Sequence, residues 1–167
     1  GVVGFWAAAT EAADMGKNVI LIDKDEKLGG VCLNRGCIPS KALIHATEVM
    51  NEAQHAEKWG ISFGKPKVDL KKLIAWKNSI IERLSSGIKS LAKIRKVTVI
   101  TGRGYFEDSK TLRVETSKGQ QFITFEHAII ATGSQPMVPA AFDLGNPRIM
   151  TSTEALELND IPESLLV

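Results

Sequence analysis

Cys32 and Cys37 are the only two cysteines in a chain of 167 residues, and four residues separate them. Gly36 and Pro39 flank the second cysteine, and two glycines precede the first. On an ideal helix this separation would place the two Cα atoms about 8.7 Å apart, whereas a disulfide needs roughly 4.4–6.8 Å. A bridge therefore requires a distorted backbone, which Gly36 permits, and a small strained ring of this kind is readily reduced.

Three kinds of site fit a close cysteine pair. A reversible catalytic dithiol is favoured, because the N-terminus of a following helix would stabilise a thiolate. A structural disulfide is disfavoured because we expect no secretory segment in this chain. A metal site would need two further ligands, and His45, His55 and His127 do not have ligand spacing. We therefore expect no metal.

A second chemical pattern lies at the start of the chain. Gly1 and Gly4 are spaced like the last two glycines of G-x-G-x-x-G, and Asp23 follows a predicted helix and strand. In a dinucleotide-binding fold such glycines let the backbone approach a pyrophosphate, and the acidic residue binds ribose hydroxyls. The pattern predicts a nucleotide site. The alternative is tight helix–strand packing with Asp23 as an ordinary turn residue.

The elements that would position these residues follow from hydrophobic periodicity. The first half of the chain predicts three helices and one buried strand, and the longest helix should carry its lysines on a solvated face. The helices are expected from Gly4 to Met15, from near Pro39 through Met50 and on to Trp59, and after an N-cap at Asp69; the strand is expected at 19–22, and the lysines are Lys71, Lys72, Lys77, Lys89 and Lys93.

After Lys96 the period changes from helical to extended, which predicts a small antiparallel meander and a return to a parallel sheet. A Thr-x-x-Glu capping box then predicts a short helix. The strands are expected at 97–100, 111–114 and 122–125 with a turn at Lys118-Gly119, the buried strand at His127–Ala131, and the helix from Thr151 to Leu158.

Composition excludes several classes of protein. The chain is 44% hydrophobic and 24% charged with a net charge of +2, which is typical of one soluble globular domain. It has no basic stripe interleaved with aromatic residues for a nucleic acid. Its apolar runs are too short to span a bilayer. Because the chain opens inside a glycine motif and closes on the apolar run 165–167, we expect a fragment.

Residues 29–41, Gly-Gly-Val-Cys-Leu-Asn-Arg-Gly-Cys-Ile-Pro-Ser-Lys, resemble the redox-disulfide signature of the pyridine nucleotide–disulfide oxidoreductases. The stretch 131–134, Ala-Thr-Gly-Ser, is similar to their second flavin-contacting motif. The resemblance implies an α/β, Rossmann-like FAD-binding domain over 1–167, truncated at its N-terminus and carrying a small antiparallel β-meander. Residues 135–167 would lead toward an absent NAD-binding domain.

Within the family, Leu33, Ile38 and the ending Pro-Ser-Lys are most similar to the branch that oxidises protein-bound dihydrolipoyl groups. Mercuric reductases and other disulfide reductases are the alternative, and a non-catalytic metal-binding module is the alternative from another class. Three departures from the family pattern are present. Val2-Val3 stands where the family usually has Pro-Gly or similar small residues. Val31 replaces a common threonine, so that only a backbone contact to the flavin phosphates would remain, and Arg35 replaces a frequent valine.

The resemblance also assigns roles to residues. Cys32 would exchange with substrate, Cys37 would face the flavin, and Lys41 would lie near the flavin ring. NAD+ would bind in the absent domain, and no histidine here matches the family's catalytic base. The implied FAD contacts are Gly1, Gly4, Asp23, Lys24, Gly30, Val31, Cys32, Lys41, Gly104, Thr132, Gly133 and Ser134.

Partners and location follow from the same resemblance. The implied partner is the lipoyl domain of a 2-oxoacid dehydrogenase or glycine cleavage complex, with a homodimer for the full-length protein. No nucleic acid or membrane partner is expected. The implied location is the bacterial cytoplasm or an organelle matrix. The 167-residue chain alone is expected not to turn over.

Overall fold

The computed structural model describes residues 3–167, with side chains from Trp6 onward, so Gly1 lies outside the described residues. The described residues form two compact units, one comprising those up to Cys32 together with Leu84–Ser134 and the other comprising Leu33–Arg83 with Gln135–Val167. The elements are α1 (Val3–Asp14), β1 (Ile20–Asp23), α2 (Gly30–Arg35), α3 (Cys37–His55), a 3-10 helix (Ala56–Trp59), α4 (Leu70–Ile94), β2 (Thr98–Thr101), β3 (Arg103–Phe106), β4 (Thr111–Thr116), β5 (Gly119–Thr124) and α5 (Ser152–Glu157). This order confirms the α/β class.

The first unit contains a two-stranded parallel sheet of β1 and β2, with Leu21 opposite Val99 and Asp23 opposite Thr101. Helix α1 ends as predicted, because Gly16 adopts a φ of +79° and such left-handed residues terminate helices. Apolar side chains of α1, β1 and the end of α4 make one core. Its buried members are Ala9, Leu21, Leu28, Ala92 and Val97, with Trp6, Ala13, Val19 and Ile88 packed against them.

The same unit contains an antiparallel meander, the sheet β3-β4-β5, and its second and third strands lie where the sequence predicts them. Its first strand is β3, because the strand expected at 97–100 pairs in parallel with β1 instead. Strand β3 was absent from the sequence prediction, because Gly104 in its centre weakens the strand signal. The side chain of Arg113 in β4 pairs with Glu107 and Glu115, and these contacts raise the pKa of Arg113. Its guanidinium also lies over the Tyr105 ring, 4.6 Å from the centroid.

The second unit contains α3, the first part of α4, and α5. Asp69 caps α4 as predicted, since its Oδ1 accepts the Lys72 N–H at 3.1 Å. The capping box at the start of α5 is also confirmed: Thr151 Oγ1 accepts the Thr153 N–H at 3.2 Å, and Glu154 accepts the Thr151 N–H at 2.8 Å. These contacts, with the bond that the Ala155 N–H donates to the Thr151 carbonyl oxygen at 3.1 Å, hold a helix that is too short to be stable alone.

Two further sequence predictions are wrong. Residues 127–131 do not form a buried strand: they lack regular structure, and Ile129 and Ile130 are 66% and 70% exposed. A strand needs a hydrogen-bonding neighbour, and in the described part of the chain β1 and β2 pair only with each other. Lys77 is the other error. It is only 4% exposed, although the lysines of α4 were expected on a solvated face.

Candidate active site

The disulfide lies where two helices meet. Cys32 is the third residue of α2, Cys37 is the first residue of α3, and Gly36 between the helices has φ −141° and ψ −102°. Neither cysteine is free, and the two are disulfide-bonded. The predicted distortion of the backbone at Gly36 is therefore what the structure shows. A metal role for these cysteines would require opening the bond, because metal ligands are thiolates.

The start of α3 provides a setting for a thiolate at Cys37. The first turn of α3 holds no acidic residue, and Ser40 Oγ donates to the Cys37 carbonyl oxygen at 3.0 Å. Unpaired N–H groups and the positive end of the helix dipole stabilise anions at such a position. Lys41 is exposed and follows Cys37 by four residues, so the two side chains project from the same face of the helix.

The turn that enters α2 depends on two glycines. Gly29 has a φ of +119° and Gly30 has a φ of +64°, conformations that residues with a Cβ rarely adopt. Gly30 is buried and Val31 is 45% exposed. The local chain path to Cys32 therefore requires glycine at these two positions.

Asp23 and Lys24, two of the predicted nucleotide residues, lie at the carboxyl end of β1. Asp23 ends β1, and its Oδ1 accepts the N–H of Asp25 at 3.1 Å. The Gly102 N–H donates to the Asp23 carbonyl oxygen at 2.9 Å, which brings the segment that leads to Gly104 beside Asp23. Ligands of parallel α/β sheets bind at this edge, so the position of Asp23 and the adjoining Lys24 fits the adenosine end of a dinucleotide.

Other predicted residues are not brought into that cluster. Gly104 pairs with Val114 in the meander, and a Cβ added there would lie 3.2 Å from Leu112 Cδ2, so strand packing alone also explains this glycine. Thr132, Gly133 and Ser134 lie exposed in an irregular segment. Of Gly4, the structure describes only that it belongs to α1. The FAD roles of these residues stay predictions.

The second unit contains a cavity of about 340 Å³ that the sequence did not predict. The cavity is lined by the disulfide segment, which we define as residues 32–39, through Asn34, Arg35 and Pro39. Lys77 of α4 and Leu156 of α5 line it as well. A signal for the buried lysine was present, because Lys77 continues the apolar spacing of α4 three residues after Ile74 and four before Ile81. The structure therefore places Lys77 in the wall of a cavity that the disulfide segment also lines.

Two kinds of feature are absent from the described residues. From residue 3 to 167, no helix is long and apolar enough to cross a membrane. Over the same range, no three side chains of histidine, cysteine, aspartate or glutamate are grouped so that they could hold a metal ion.

The family that matches residues 1–167 is described as pyridine nucleotide-disulphide oxidoreductase, and the chain belongs to it. The Cys32–Cys37 bond at the α2–α3 break fits the redox-active disulfide of a flavoprotein disulfide oxidoreductase. Membership implies a flavin cofactor. Asp23 at the sheet edge and Cys37 at the helix start are the two described features that fit it.

Individual relatives sharpen the comparison. Dihydrolipoyl dehydrogenase of Vibrio cholerae is 43% identical over 162 residues, 97% of this chain and 34% of the relative. That of Geobacillus stearothermophilus is 44% identical over 164 residues, 98% of this chain and 34% of the relative. The chain therefore spans about a third of the length of these relatives.

A solved structure is also similar. It is the Cu(II) complex of the HOCl-induced flavoprotein disulfide reductase RclA from Escherichia coli, with a TM-score of 0.71 and 29% identity. The match covers 94% of this chain and 32% of that one. This likeness confirms the Rossmann-like fold expected from the sequence.

Proposed function

We propose that this chain is the FAD-binding, disulfide-bearing part of a dihydrolipoyl dehydrogenase, an enzyme that oxidises protein-bound dihydrolipoyl groups with NAD+. The observation that carries the proposal is the bond between Cys32 and Cys37 across the helix break at Gly36. Identities above 40% to dihydrolipoyl dehydrogenases support this substrate over that of other disulfide reductases. Mercuric and other disulfide reductases remain the alternative, since they would use the same cysteine pair.

The proposed chemistry is thiol–disulfide exchange. A dihydrolipoyl thiolate attacks the sulfur of Cys32, the bond between the cysteines breaks, and Cys37 leaves as a thiolate. The second dihydrolipoyl thiol, once deprotonated, attacks the lipoyl sulfur of the mixed disulfide, which forms the lipoyl disulfide and releases Cys32 as a thiolate. The substrate thereby loses two electrons and two protons, the cysteine pair gains the two electrons, and bases outside the described site accept the protons.

The start of α3 supports the role of Cys37 as the leaving thiolate, because a 19-residue helix presents its positive end there. FAD, when bound, supplies the acceptor for the two electrons. Asp23 and Lys24 would hold its adenosine end, and Lys41 would lie near its ring. Gly30, Val31 and the 132–134 stretch would supply the remaining contacts.

The proposal extends to the full-length protein. NAD+ would bind in a domain outside this chain, and the catalytic base would come from the partner subunit of a homodimer. The lipoyl domain of a 2-oxoacid dehydrogenase or glycine cleavage complex would deliver the substrate. The bacterial cytoplasm or an organelle matrix would be the location. These assignments rest on the resemblance of residues 29–41 to the family's signature.

The test compares single-cysteine variants on the FAD-loaded chain. Cys37→Ser leaves Cys32 able to form a mixed disulfide with lipoamide, detectable as a mass increase, whereas Cys32→Ser should form it far more slowly. Wild-type chain should yield two titratable thiols after treatment with dihydrolipoamide. Formation of the mixed disulfide with lipoamide at equal rates in both variants would overturn the roles assigned to Cys32 and Cys37. A wild-type disulfide that dihydrolipoamide cannot reduce would overturn the function.

A further inference from the structure

Lys77 stands apart from the other lysines of α4. It is 4% exposed, whereas the side chain of Lys72 in the same helix is 87% exposed. A buried ammonium is costly unless hydrogen bonds compensate for the lost water. The partners of Lys77 therefore have to be found within the second unit.

Those partners are backbone carbonyls at the end of α5. Lys77 Nζ donates to the Leu156 carbonyl oxygen at 2.6 Å and lies 3.4 Å from that of Glu157. The last carbonyls of a helix lack partners within it and form the negative end of its dipole. Since Leu158 turns out of the helix with a φ of +58°, Lys77 replaces the bonds that a longer helix would have made.

The two ends of α5 are thus held differently. The capping box of Thr151 and Glu154 fixes its start from within the same segment. Its end is fixed by Lys77, 79 residues away in sequence from Leu156. Burial lowers the pKa of Lys77, while the nearby Glu157 carboxylate acts in the opposite direction and favours its charged form.

The contact between Lys77 and the end of α5 is relevant to the disulfide segment because its residues and those of the disulfide segment line the same cavity. Asn34 and Arg35, which lie between the cysteines, line this cavity together with Lys77 and Leu156. Pro39, just beyond Cys37, also lines it. Movement of α5 would therefore change the shape of the cavity that the residues between the cysteines line.

We propose that Lys77 is a positioning residue that ties the end of α5 to α4 and thereby sets how readily the Cys32–Cys37 bond opens and closes. The inference rests on the proposed redox role of the pair. A firmly held segment keeps the two thiols close after reduction, which favours re-formation of the bond. Loss of the tie lets the segment between the cysteines spread, so the dithiol form becomes more populated.

The experiment measures the equilibrium between the chain's disulfide and dithiothreitol by thiol labelling and mass spectrometry. Lys77→Met should shift this equilibrium toward the dithiol by about threefold or more. Lys77→Arg, which keeps the charge and the donors, should restore most of the wild-type value. Lys72→Met is the matched control and should have no effect.

Hydrogen exchange of the α5 amides supplies the second measurement. Lys77→Met should raise exchange at residues 155–157. Faster exchange with an unchanged disulfide equilibrium would overturn the inference and leave Lys77 a purely structural residue. Should Lys77→Met fail to fold, Glu154→Ala loosens α5 from its other end and should shift the equilibrium in the same direction; no shift there would also overturn it. A wild-type chain without a reversible dithiol would instead refute the proposed function.

Discussion

Replacing Lys77 by methionine should make the stability of the chain respond differently to pH. The substitution removes a 2.6 Å charged hydrogen bond to the Leu156 carbonyl and leaves that carbonyl without its partner. Bonds to charged groups contribute about 1.5–3 kcal/mol, and removing the costly buried charge offsets part of this. We therefore expect a loss of about 1–2 kcal/mol at neutral pH.

The sign of the pH effect follows from the lowered pKa of Lys77, whose first cause is burial. Between the folded pKa and the unfolded value of about 10.4, the unfolded chain binds more protons than the folded one. Wild-type stability should therefore rise with pH through this window and fall as pH decreases through the folded pKa. The difference in the free energy of unfolding between the wild type and Lys77→Met should therefore increase as the pH rises through this window.

The assay is urea denaturation at pH 7 and at pH 10, followed by circular dichroism and by tryptophan fluorescence. Lys72→Met is the control, because Lys72 is exposed and makes only a 3.8 Å pair with Asp69. Arg35 and Glu157 line the same cavity and are unchanged in both variants, so the difference isolates Lys77. If the difference in the free energy of unfolding between the wild type and Lys77→Met is smaller at pH 10 than at pH 7, the reasoning is refuted. That result would mean that folding raises the pKa of Lys77 instead of lowering it.

Three further predictions concern the other elements. Asp69→Ala removes the N-cap of α4 and should lower the free energy of unfolding by about 1 kcal/mol in urea denaturation. Leu21→Ala empties a position that is 2% exposed and should cost about 3 kcal/mol in the same assay, whereas Leu91→Ala at a position 41% exposed should cost far less. Asp23→Ala should weaken FAD retention by about tenfold or more, measured by visible absorbance after gel filtration, while Asp25→Ala should retain it; equal losses in both would contradict the assignment of the ribose to Asp23.

The elements that were predicted well carry strong local signals. Gly16, Asp69 and the Thr151–Glu154 capping box each fix a helix end by their own backbone or side-chain chemistry. The break at Gly36 was also predictable, because disulfide geometry and helix geometry cannot both be satisfied over five residues. Local chemistry of this kind needs no knowledge of the tertiary structure.

What could not be predicted depends on distant partners. The apolar run 127–131 looks like a buried strand, but strand formation depends on a neighbouring strand that the run itself does not encode. The spacing of Lys77 matches the apolar stripe of α4, but lysine is rarely buried, and the carbonyls that compensate its burial lie 79 and 80 residues away. The cavity beside the cysteines has the same origin, since three separate segments line it.

Within the chain alone, leaving-group stability supports the proposed roles of the two sulfurs and exposure does not. Cys37 is the more exposed residue and Cys32 is half-buried, so access alone would direct an attacking dithiol to Cys37. Helix geometry argues the other way: Cys37 begins a 19-residue helix, whereas Cys32 lies within one of six residues, and the longer helix better stabilises a departing thiolate. A flavin placed against Cys37 would remove the competing route by covering the exposed sulfur. Selective attack at Cys32 should therefore be stronger in the FAD-loaded chain than in the chain without FAD, and equal selectivity in both would show that the helix start alone decides.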